Sequence, residues 1–219
     1  MHKTHGNFGI DLSNEESLLA HNKELAKEIH ENLKKRGIRS FDFMGSVGAG
    51  KTTTLEKLSE ALKVSYRISV LAGDLTTTID ADRIAAHGVR TFQINTGKEC
   101  HLDAHIVAHA IEDIPEDTNL LFIENVGNLV CPGDFPLGTD MRVVVVSVTE
   151  GPYMVKKHPY IFAEAQVAVI NKSDMARAMD VSVEALTEDI HGINPEAKVV
   201  VTSARTAEGI PELISALGL

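Results

Sequence analysis

The sequence predicts an α/β protein built on a doubly wound, mostly parallel β-sheet. Short apolar segments alternate with segments whose apolar residues recur at helical spacing, as expected when each strand is followed by a helix. The apolar segments are nearly uninterrupted, which is typical of strands buried on both faces of a parallel sheet. The chain has 219 residues, enough for one domain of this kind and too few for two.

The predicted elements begin with an N-terminal helix. Residues 1–37 form a segment whose helix, over residues 13–36, is expected to pack on the domain formed by residues 38–219. Ser13 and Glu16 match a capping box at the start of that helix. We predict strands at residues 41–44, 67–72, 90–94, 120–123, 142–148, 165–170 and 198–202. We predict further helices at residues 55–62, 79–87, 101–114, 183–191 and 210–217, and a long irregular stretch at residues 125–138.

The composition argues against several classes of partner. The formal net charge is -10 and the longest run of basic residues is three, at residues 34–36, so we expect neither nucleic acid nor an anionic membrane as a ligand. No apolar segment approaches the roughly 20 residues of a membrane-spanning helix, and the polar N-terminus does not match a signal peptide. We therefore expect a cytoplasmic protein, in which the two cysteines serve thiol chemistry or packing rather than a disulfide.

The glycine-rich stretch at residues 45–52 matches the phosphate-binding loop pattern G-x-x-x-x-G-K-[ST] between a strand and a helix. Such a loop turns backbone amides towards the phosphates, places its lysine on the β- and γ-phosphate oxygens and offers its last hydroxyl to Mg²⁺. A nucleoside triphosphate with Mg²⁺ is the predicted ligand, and a glycine-rich turn before a surface helix is the weaker alternative. The residues expected to hold the nucleotide here are Gly45, Ser46, Gly48, Ala49, Gly50, Lys51, Thr52 and Thr53.

A second motif, Asn171-Lys172-Ser173-Asp174, selects the base. The Asp174 carboxylate can accept hydrogen bonds from N1–H and the exocyclic amine of guanine, whereas the unprotonated N1 of adenine would leave it poorly matched. The Lys172 stem can cover the base, and Ser203 and Ala204 resemble a turn that places a backbone amide on the guanine oxygen. Alone, the four residues would fit a polar turn, but their position after a strand and after the phosphate loop favours GTP and GDP.

Two acidic residues, Asp74 and Glu124, directly follow predicted strands and are candidates to complete the Mg²⁺ site. With Lys51 and Thr52 they form the predicted catalytic set, and Gly127 is placed to offer its amide to the γ-phosphate. Either acid could instead cap a helix or remain solvated. No glutamine follows Gly127 to orient water and no arginine finger is evident, so we expect slow hydrolysis.

A transition-metal site is the second predicted chemistry. Cys100, His101 and Cys131 offer two thiolates and an imidazole, which suit Ni²⁺ or Zn²⁺ and leave room for water or a second subunit. His105 and His109 follow His101 at intervals of four residues, so His105 is a possible accessory ligand. The alternatives are that the cysteines are packing residues and that the later histidines form a solvated face. His2 and His5 belong either to a frayed terminus or to an accessory metal site.

Taken together, the phosphate loop, Cys100-His101, the segment Glu-Asn-Val-Gly-Asn-Leu-Val-Cys-Pro at residues 124–132 and the motif at residues 171–174 resemble the HypB family of hydrogenase nickel-incorporation GTPases. The resemblance covers nearly the whole chain. It implies a P-loop NTPase fold of the signal-recognition and MinD type and GTP-promoted homodimers. It also implies nickel delivery to the large subunit of [NiFe]-hydrogenase with a HypA-type partner, through a metal site at Cys100, His101 and Cys131.

Two departures from relatives are visible. Some members carry an N-terminal C-x-x-C-G-C motif and others a histidine-rich stretch; this chain has neither, which argues against N-terminal nickel storage. The urease relative UreG has Cys-Pro-His where Gly133 follows Cys131-Pro132 here, which favours the hydrogenase branch.

The predicted function is therefore a GTPase that gates nickel delivery through its nucleotide-dependent loops. One alternative is a GTPase chaperone for urease, a cobalamin enzyme or another metalloenzyme, with structural cysteines. Another is a small-molecule kinase, against which the guanine motif argues.

Overall fold

The computed structural model describes residues 12–97 and 99–219, with the backbone alone for residues 12–15. His2 and His5, and the Ser13 side chain of the predicted capping box, lie outside the described part of the chain.

The core of the fold is a seven-stranded sheet in which every pair of neighbouring strands is parallel. The strands are β1 (Arg39–Met44), β2 (Ile68–Asp74), β3 (Arg90–Asn95), β4 (Leu120–Glu124), β5 (Met141–Ser147), β6 (Val167–Asn171) and β7 (Lys198–Val201), in the order β3-β2-β4-β1-β5-β6-β7. The central strand β1 lies between β4 and β5. The carboxyl ends of all strands therefore open onto one edge, where ligands of such sheets bind.

The helices are α1 (Leu12–Lys35), α2 (Lys51–Leu62), α3 (Ile79–Ala85), α4 (Ala104–Glu112), α5 (Cys131–Asp134), α6 (Met154–Lys157), α7 (Pro159–Ala163), α8 (Ala176–Met179), α9 (Val183–Ile193) and α10 (Ile210–Leu217). No helix in the described part of the chain combines the length and apolarity that crossing a membrane requires.

Helices cover both faces of the sheet, which confirms the doubly wound architecture. Alternate residues of β5 separate the two layers: Val143 and Val145 pack with α2 and α10, whereas Val144 and Val146 pack with α7 and α9. A third apolar cluster joins α1 and α4 to β2 and β4 on the same face as α9. Because both faces are buried, the strands are the continuous apolar runs from which the parallel sheet was predicted.

Helix α1 packs along α4 rather than extending into solvent. Ala26, Ile29 and Leu33 are buried in the same apolar cluster as Val107. At the far end of α4, the Arg36 guanidinium donates hydrogen bonds to the Ile111 carbonyl in the last turn of that helix, at 3.2 Å, and to the Ile114 and Pro115 carbonyls that follow it.

The structure corrects two details of the predicted elements. Helix α4 begins at Ala104, not at residue 101, because the Asp103 carboxylate caps it by accepting a hydrogen bond from the Ile106 amide at 2.8 Å. Cys100 and His101 therefore lie in the preceding loop, where their side chains are free to turn towards a shared point. The stretch at residues 125–138 is not wholly irregular, since α5 lies within it and begins at Cys131.

Candidate nucleotide and metal site

The phosphate loop connects β1 to α2 at the centre of the sheet edge. Gly45 and Gly50 both have positive φ, and a Cβ would collide with the Val145 carbonyl at the first and with the Asn171 side chain at the second. The Lys51 ammonium folds back over the loop and donates to the Gly45 and Ser46 carbonyls, each at 3.1 Å. Burial lowers the pKa of Lys51, and the nearby Glu124 carboxylate opposes that shift.

A cavity of about 360 Å³ lies over this loop and is lined by the side chains expected to meet phosphates and Mg²⁺. The Thr52 hydroxyl oxygen is 2.7 Å from Glu124 Oε1 and 2.9 Å from Asp80 Oδ1. One hydroxyl proton cannot satisfy two carboxylates. Three oxygens from three elements therefore converge on one point, which is the donor set that Mg²⁺ prefers.

Glu124 is the most buried acid of this cavity, with 3% of its surface exposed. Burial raises its pKa to about 7, against the opposing effects of Lys51 and of the Thr52 hydrogen bond. Its Oε2 has no hydrogen-bond partner among the described residues. A buried, unsatisfied carboxylate oxygen beside the Thr52 hydroxyl fits a divalent cation with its bound water.

The structure places Asp80, rather than the predicted Asp74, beside the Thr52 hydroxyl. Asp74 Oδ1 accepts hydrogen bonds from the Thr76 and Thr77 amides at 2.9 and 2.8 Å. Burial raises the pKa of Asp74 somewhat, but the backbone hydrogen bonds from Thr77 and Thr76 bring it below its usual value. Asp74 lines the cavity and holds the loop after β2, whereas Asp80 in the first turn of α3 reaches the Thr52 hydroxyl.

Sequence analysis missed Asp80 because it looks like an ordinary acid at a helix N-terminus. The only signal available was its place in the loop-to-helix segment that follows β2.

The residues predicted to bind the base line a second cavity of about 380 Å³, which meets the first at Gly50, Thr53 and Lys172. Asp174 lines it, and its Oδ1 accepts a hydrogen bond from the Ser203 hydroxyl at 2.8 Å. Arg205, at the position where the predicted turn has lysine, lies 3.7 Å from Asp174 Oδ2. Lys172 has a positive φ and donates to the Gly48 carbonyl at 2.7 Å, so its stem spans the junction of the two cavities.

The Asn171 side chain links the phosphate loop to the segment that follows β7. Its Nδ2 donates to the Ala49 carbonyl at 2.9 Å, and its Oδ1 accepts from the Thr202 hydroxyl and the Ala204 amide at 3.1 and 3.0 Å. The Ala204 amide is thus engaged by Asn171 here. Asn171 is buried, so its observed role is to join the loops that line the two cavities.

The structure brings the three predicted metal ligands together. Cys100 Sγ lies 2.9 Å from Cys131 Sγ and 3.8 Å from His101 Nδ1, and one ligand atom from each residue fits within 4.8 Å of the others. The hydrogen bond to Cys131, followed by burial, raises the pKa of the Cys100 thiol. Burial lowers the pKa of His101, which favours the neutral imidazole that binds metals. The chemistry of the three donors fits Ni²⁺ or Zn²⁺.

Three further aromatic or imidazole side chains lie near the triad: Phe135, His105 and His109. The His101 ring packs on Phe135, with the ring centroids 4.0 Å apart. His105 and His109 are exposed on α4, with their rings 4.8 Å apart, and they form a pair outside the triad. Of these, Phe135 was not predicted, because nothing in its sequence position indicates that it faces His101.

Two asparagines of the segment that follows β4, Asn125 and Asn128, contact the segment that carries Cys100 and His101. Asn125, next to Glu124, accepts a hydrogen bond from the Leu102 amide at 3.1 Å. Asn128 donates through its backbone amide to the Gly45 carbonyl at 3.0 Å and through its side chain to the Cys100 carbonyl at 3.3 Å. Each links the phosphate-loop side of the site to the segment that carries Cys100 and His101.

Comparison with known proteins gives the family. The model of the CobW/HypB/UreG nucleotide-binding domain matches residues 41–201. A probable hydrogenase maturation factor HypB from Methanocaldococcus jannaschii is 48% identical over 198 residues, which span 90% of each chain. The chain belongs to the HypB family.

Solved HypB structures share the fold. HypB from Archaeoglobus fulgidus is 43% identical and superposes with a TM-score of 0.85 over 91% of this chain and 98% of that one. HypB from Helicobacter pylori, solved in complex with nickel, is 37% identical, with a TM-score of 0.85 over 90% of this chain and 93% of that one. These matches confirm both the predicted HypB family and the predicted P-loop NTPase fold.

Proposed function

We propose that this HypB-family chain is a GTP-hydrolysing nickel metallochaperone for hydrogenase maturation. Nickel is the cargo, GTP is the substrate, and the state of the nucleotide controls the site formed by Cys100, His101 and Cys131. The observation that carries the proposal is the direct continuity of the two sites: the loop that begins at Glu124 runs through Asn125 and Asn128 to Cys131. The hydrogenase maturation role of the M. jannaschii relative and the nickel complex of the H. pylori relative support it.

The nucleotide cavity supports phosphoryl chemistry. In the presence of GTP, the Lys51 ammonium would exchange its loop carbonyls for β- and γ-phosphate oxygens. Thr52, Asp80 and Glu124 would hold Mg²⁺, which when bound supplies positive charge between the phosphates. Asp74 remains a candidate for a contact to that site through water, and Gly127, packed against Val47 of the phosphate loop, remains the candidate amide for the γ-phosphate.

Guanine is the base that the second cavity suits. The Asp174 carboxylate is oriented by the Ser203 hydroxyl and can accept from both guanine donors. The Lys172 stem, anchored on Gly48, is positioned to lie against the base.

Coupling of the two sites follows from shared hydrogen bonds. A γ-phosphate that pulls Glu124 and Gly127 inwards would shift Asn125 and Asn128, which hold the Leu102 amide and the Cys100 carbonyl. The separation of Cys100 from Cys131 would then differ between the GTP and GDP states.

We further propose that GTP promotes a homodimer through the surface at the carboxyl ends of the strands. Val47 of the phosphate loop, Ile79 at the start of α3 and Val130 beside Cys131 are 84%, 63% and 59% exposed. Apolar side chains this exposed around a ligand site favour a protein contact, and a second copy could supply the remaining metal ligand. A HypA-type partner and the hydrogenase large subunit are the proposed recipients of nickel.

The test is to measure Ni²⁺ and Zn²⁺ dissociation constants with GDP and with a non-hydrolysable GTP analogue, while sizing the protein in both states. We expect the constants to differ by roughly 5-fold to 100-fold, and nickel should shift nucleotide affinity by the same factor. Equal constants in both states would disprove coupling at equilibrium.

The ligand set is tested separately. Cys131→Ala and His101→Ala should weaken nickel binding while GTP hydrolysis is largely kept. His109→Ala, which alters an exposed histidine outside the triad, is the matched control and should bind nickel as the wild type does. Unchanged nickel stoichiometry in Cys131→Ala would contradict the proposed ligands.

A further inference from the structure

Helix α1 contributes no member of the metal triad, yet one of its side chains contacts both segments that carry the triad. Asn22 lies in the middle of α1 and is 5% exposed. Its Oδ1 accepts a hydrogen bond from the Ala104 amide at 2.7 Å, and its Nδ2 donates to the Pro136 carbonyl at 2.9 Å. The side-chain amide of Asn22 thus binds two separate segments of the chain, the start of α4 and the loop after α5.

These two partners flank the metal site. Ala104 is the first residue of α4 and follows Cys100 and His101 by a few residues. Pro136 follows α5, whose first residue is Cys131. The Asn22 amide therefore spans the gap between the two parts of the chain that must meet around one metal ion.

Apolar packing fixes α1 against the same two segments. Leu137, next to Pro136, is buried in one cluster with Ala26 and Ile29 of α1, and Leu102 belongs to that cluster too. Gly138 approaches α1 so closely that a Cβ there would collide with the Ala26 carbonyl. A shift of Asn22 along α1 is resisted by this packing, so its two hydrogen bonds have a fixed span.

We propose that Asn22 is a positioning residue for the nickel site, holding the Cys100–His101 loop and the Cys131 loop at the separation that lets both thiolates bind one ion. This rests on the proposed cargo site. The plainer role, a brace for the fold alone, predicts lower stability with unchanged metal affinity. Partners that orient metal ligands typically change metal affinity about 10-fold to 100-fold when mutated.

The experiment measures Ni²⁺ affinity and the thiolate-to-nickel charge-transfer absorption of the full-length protein. Asn22→Ala removes both hydrogen bonds. Asn22→Asp keeps the acceptor for the Ala104 amide and turns the Pro136 contact from attraction to repulsion, so a bridge should fail in both variants. We expect the dissociation constant to rise roughly 10-fold or more in each, with a changed charge-transfer band and GTP hydrolysis close to wild type.

Asn194→Ala is the matched control. The Asn194 side chain donates to the Phe162, Ala163 and Ala165 carbonyls, which precede the amino end of β6 and belong neither to α1 nor to the segments that carry the triad, so its loss should lower stability without changing nickel affinity. If the Asn22 variants lose stability as Asn194→Ala does and bind nickel like the wild type, Asn22 is a structural brace and the inference is wrong. If the wild type binds no nickel, or Cys131→Ala binds it equally well, the proposed cargo site itself fails.

A measurement on the unmodified chain covers the case in which the variants fold poorly. Nickel should slow amide hydrogen exchange in the part of α1 around Asn22, although α1 supplies no ligand to the triad. Exchange in α10, on the opposite face of the sheet, should stay the same. Protection confined to the Cys100 and Cys131 loops would overturn the inference.

Discussion

Asp80 is a proposed Mg²⁺ ligand that no sequence motif marks. Its Oδ1 lies 2.9 Å from the Thr52 hydroxyl, and Arg83 approaches the same oxygen at 3.6 Å. We expect Asp80→Ala to lower kcat/KM for Mg²⁺-dependent GTP hydrolysis about 100-fold, because one of three oxygens around the cation is lost. Hydrolysis kinetics over a Mg²⁺ titration would measure this, with a higher Mg²⁺ concentration needed for half-maximal rate.

Asp82 is the matched control for this prediction. It lies on the same helix and accepts a hydrogen bond from the Thr78 hydroxyl at 2.9 Å, away from Thr52. Asp82→Ala should keep the wild-type Mg²⁺ dependence. Equal losses in both variants would mean that Asp80 acts by stabilising α3 rather than by binding the cation.

The sequence could identify the residues whose spacing is fixed by a local motif. Lys51 and Thr52 are predictable because the backbone of one tight loop places them. Asp80 and Asn22 are not, because they lie 28 and 82 positions from the groups they contact, and only the packing of α3 and α1 brings them there. The metal triad is an intermediate case. Cys100-His101 and Cys131 could each be identified in the sequence as candidate metal ligands, but only the fold brings the two segments together.

The loops at the carboxyl ends of β1, β6 and β7 are joined by Asn171. We expect Asn171→Ala to lower the free energy of unfolding by about 2 to 4 kcal/mol, since a buried carbonyl, hydroxyl and amide all lose a partner. Because the phosphate loop and the base loop would no longer be held together, GTP and GDP should both bind roughly 10-fold more weakly. Urea denaturation and nucleotide titration would measure the two effects.

Asn95→Ala provides the comparison for that variant, because Asn95 is an exposed asparagine at the carboxyl end of the edge strand β3. It should change neither quantity. A loss of GTP affinity alone in Asn171→Ala, with GDP affinity kept, would show that Asn171 senses the γ-phosphate and would contradict its role as a tie between loops.

The longer elements were predictable and the shorter ones were not. Helix α10 has the predicted bounds, and the strands lie within a few residues of the predictions, because buried runs and amphipathic periods are strong signals. Helices α5 to α8 span four or five residues each, too few to establish a helical period, and tertiary contacts fix them. One of these is α5, which begins at Cys131. The sequence therefore identified Cys131 as a candidate metal ligand but did not predict the helix that holds it.

Global stability should respond to pH through two buried acids of the sheet, Glu124 and Asp42. The pKa of Glu124 is raised from 4.5 to about 7 by burial, and that of Asp42 from 3.8 to about 6, also by burial. A raised folded-state pKa means that the folded protein binds the proton more tightly. The resulting stabilisation is complete below the unfolded pKa and is lost as pH rises through the folded pKa.

We therefore expect the free energy of unfolding of the nucleotide-free protein to fall between about pH 4 and about pH 7, the range between the unfolded and folded pKa values of these two acids. The Glu124 contribution is on the order of 3 kcal/mol. Urea denaturation without Mg²⁺ would show a shallower pH dependence for Glu124→Gln than for the wild type, whereas Glu188→Gln, which alters an exposed acid of α9, should follow the wild type. Parallel curves for wild type and Glu124→Gln would contradict the raised pKa.

Because all strands of the sheet are parallel, the candidate sites lie at their carboxyl ends, and the turns at their amino ends are free for labelling. The turns that enter β2 and β4 carry Val64, which is 88% exposed, and the exposed Glu116. Strands of five to seven residues place these turns about 15 to 20 Å from the carboxyl ends where the phosphate loop and the two thiols lie. A fluorophore or surface tether installed there, through chemistry that spares Cys100 and Cys131, can report on nucleotide exchange and metal release in real time without touching either site.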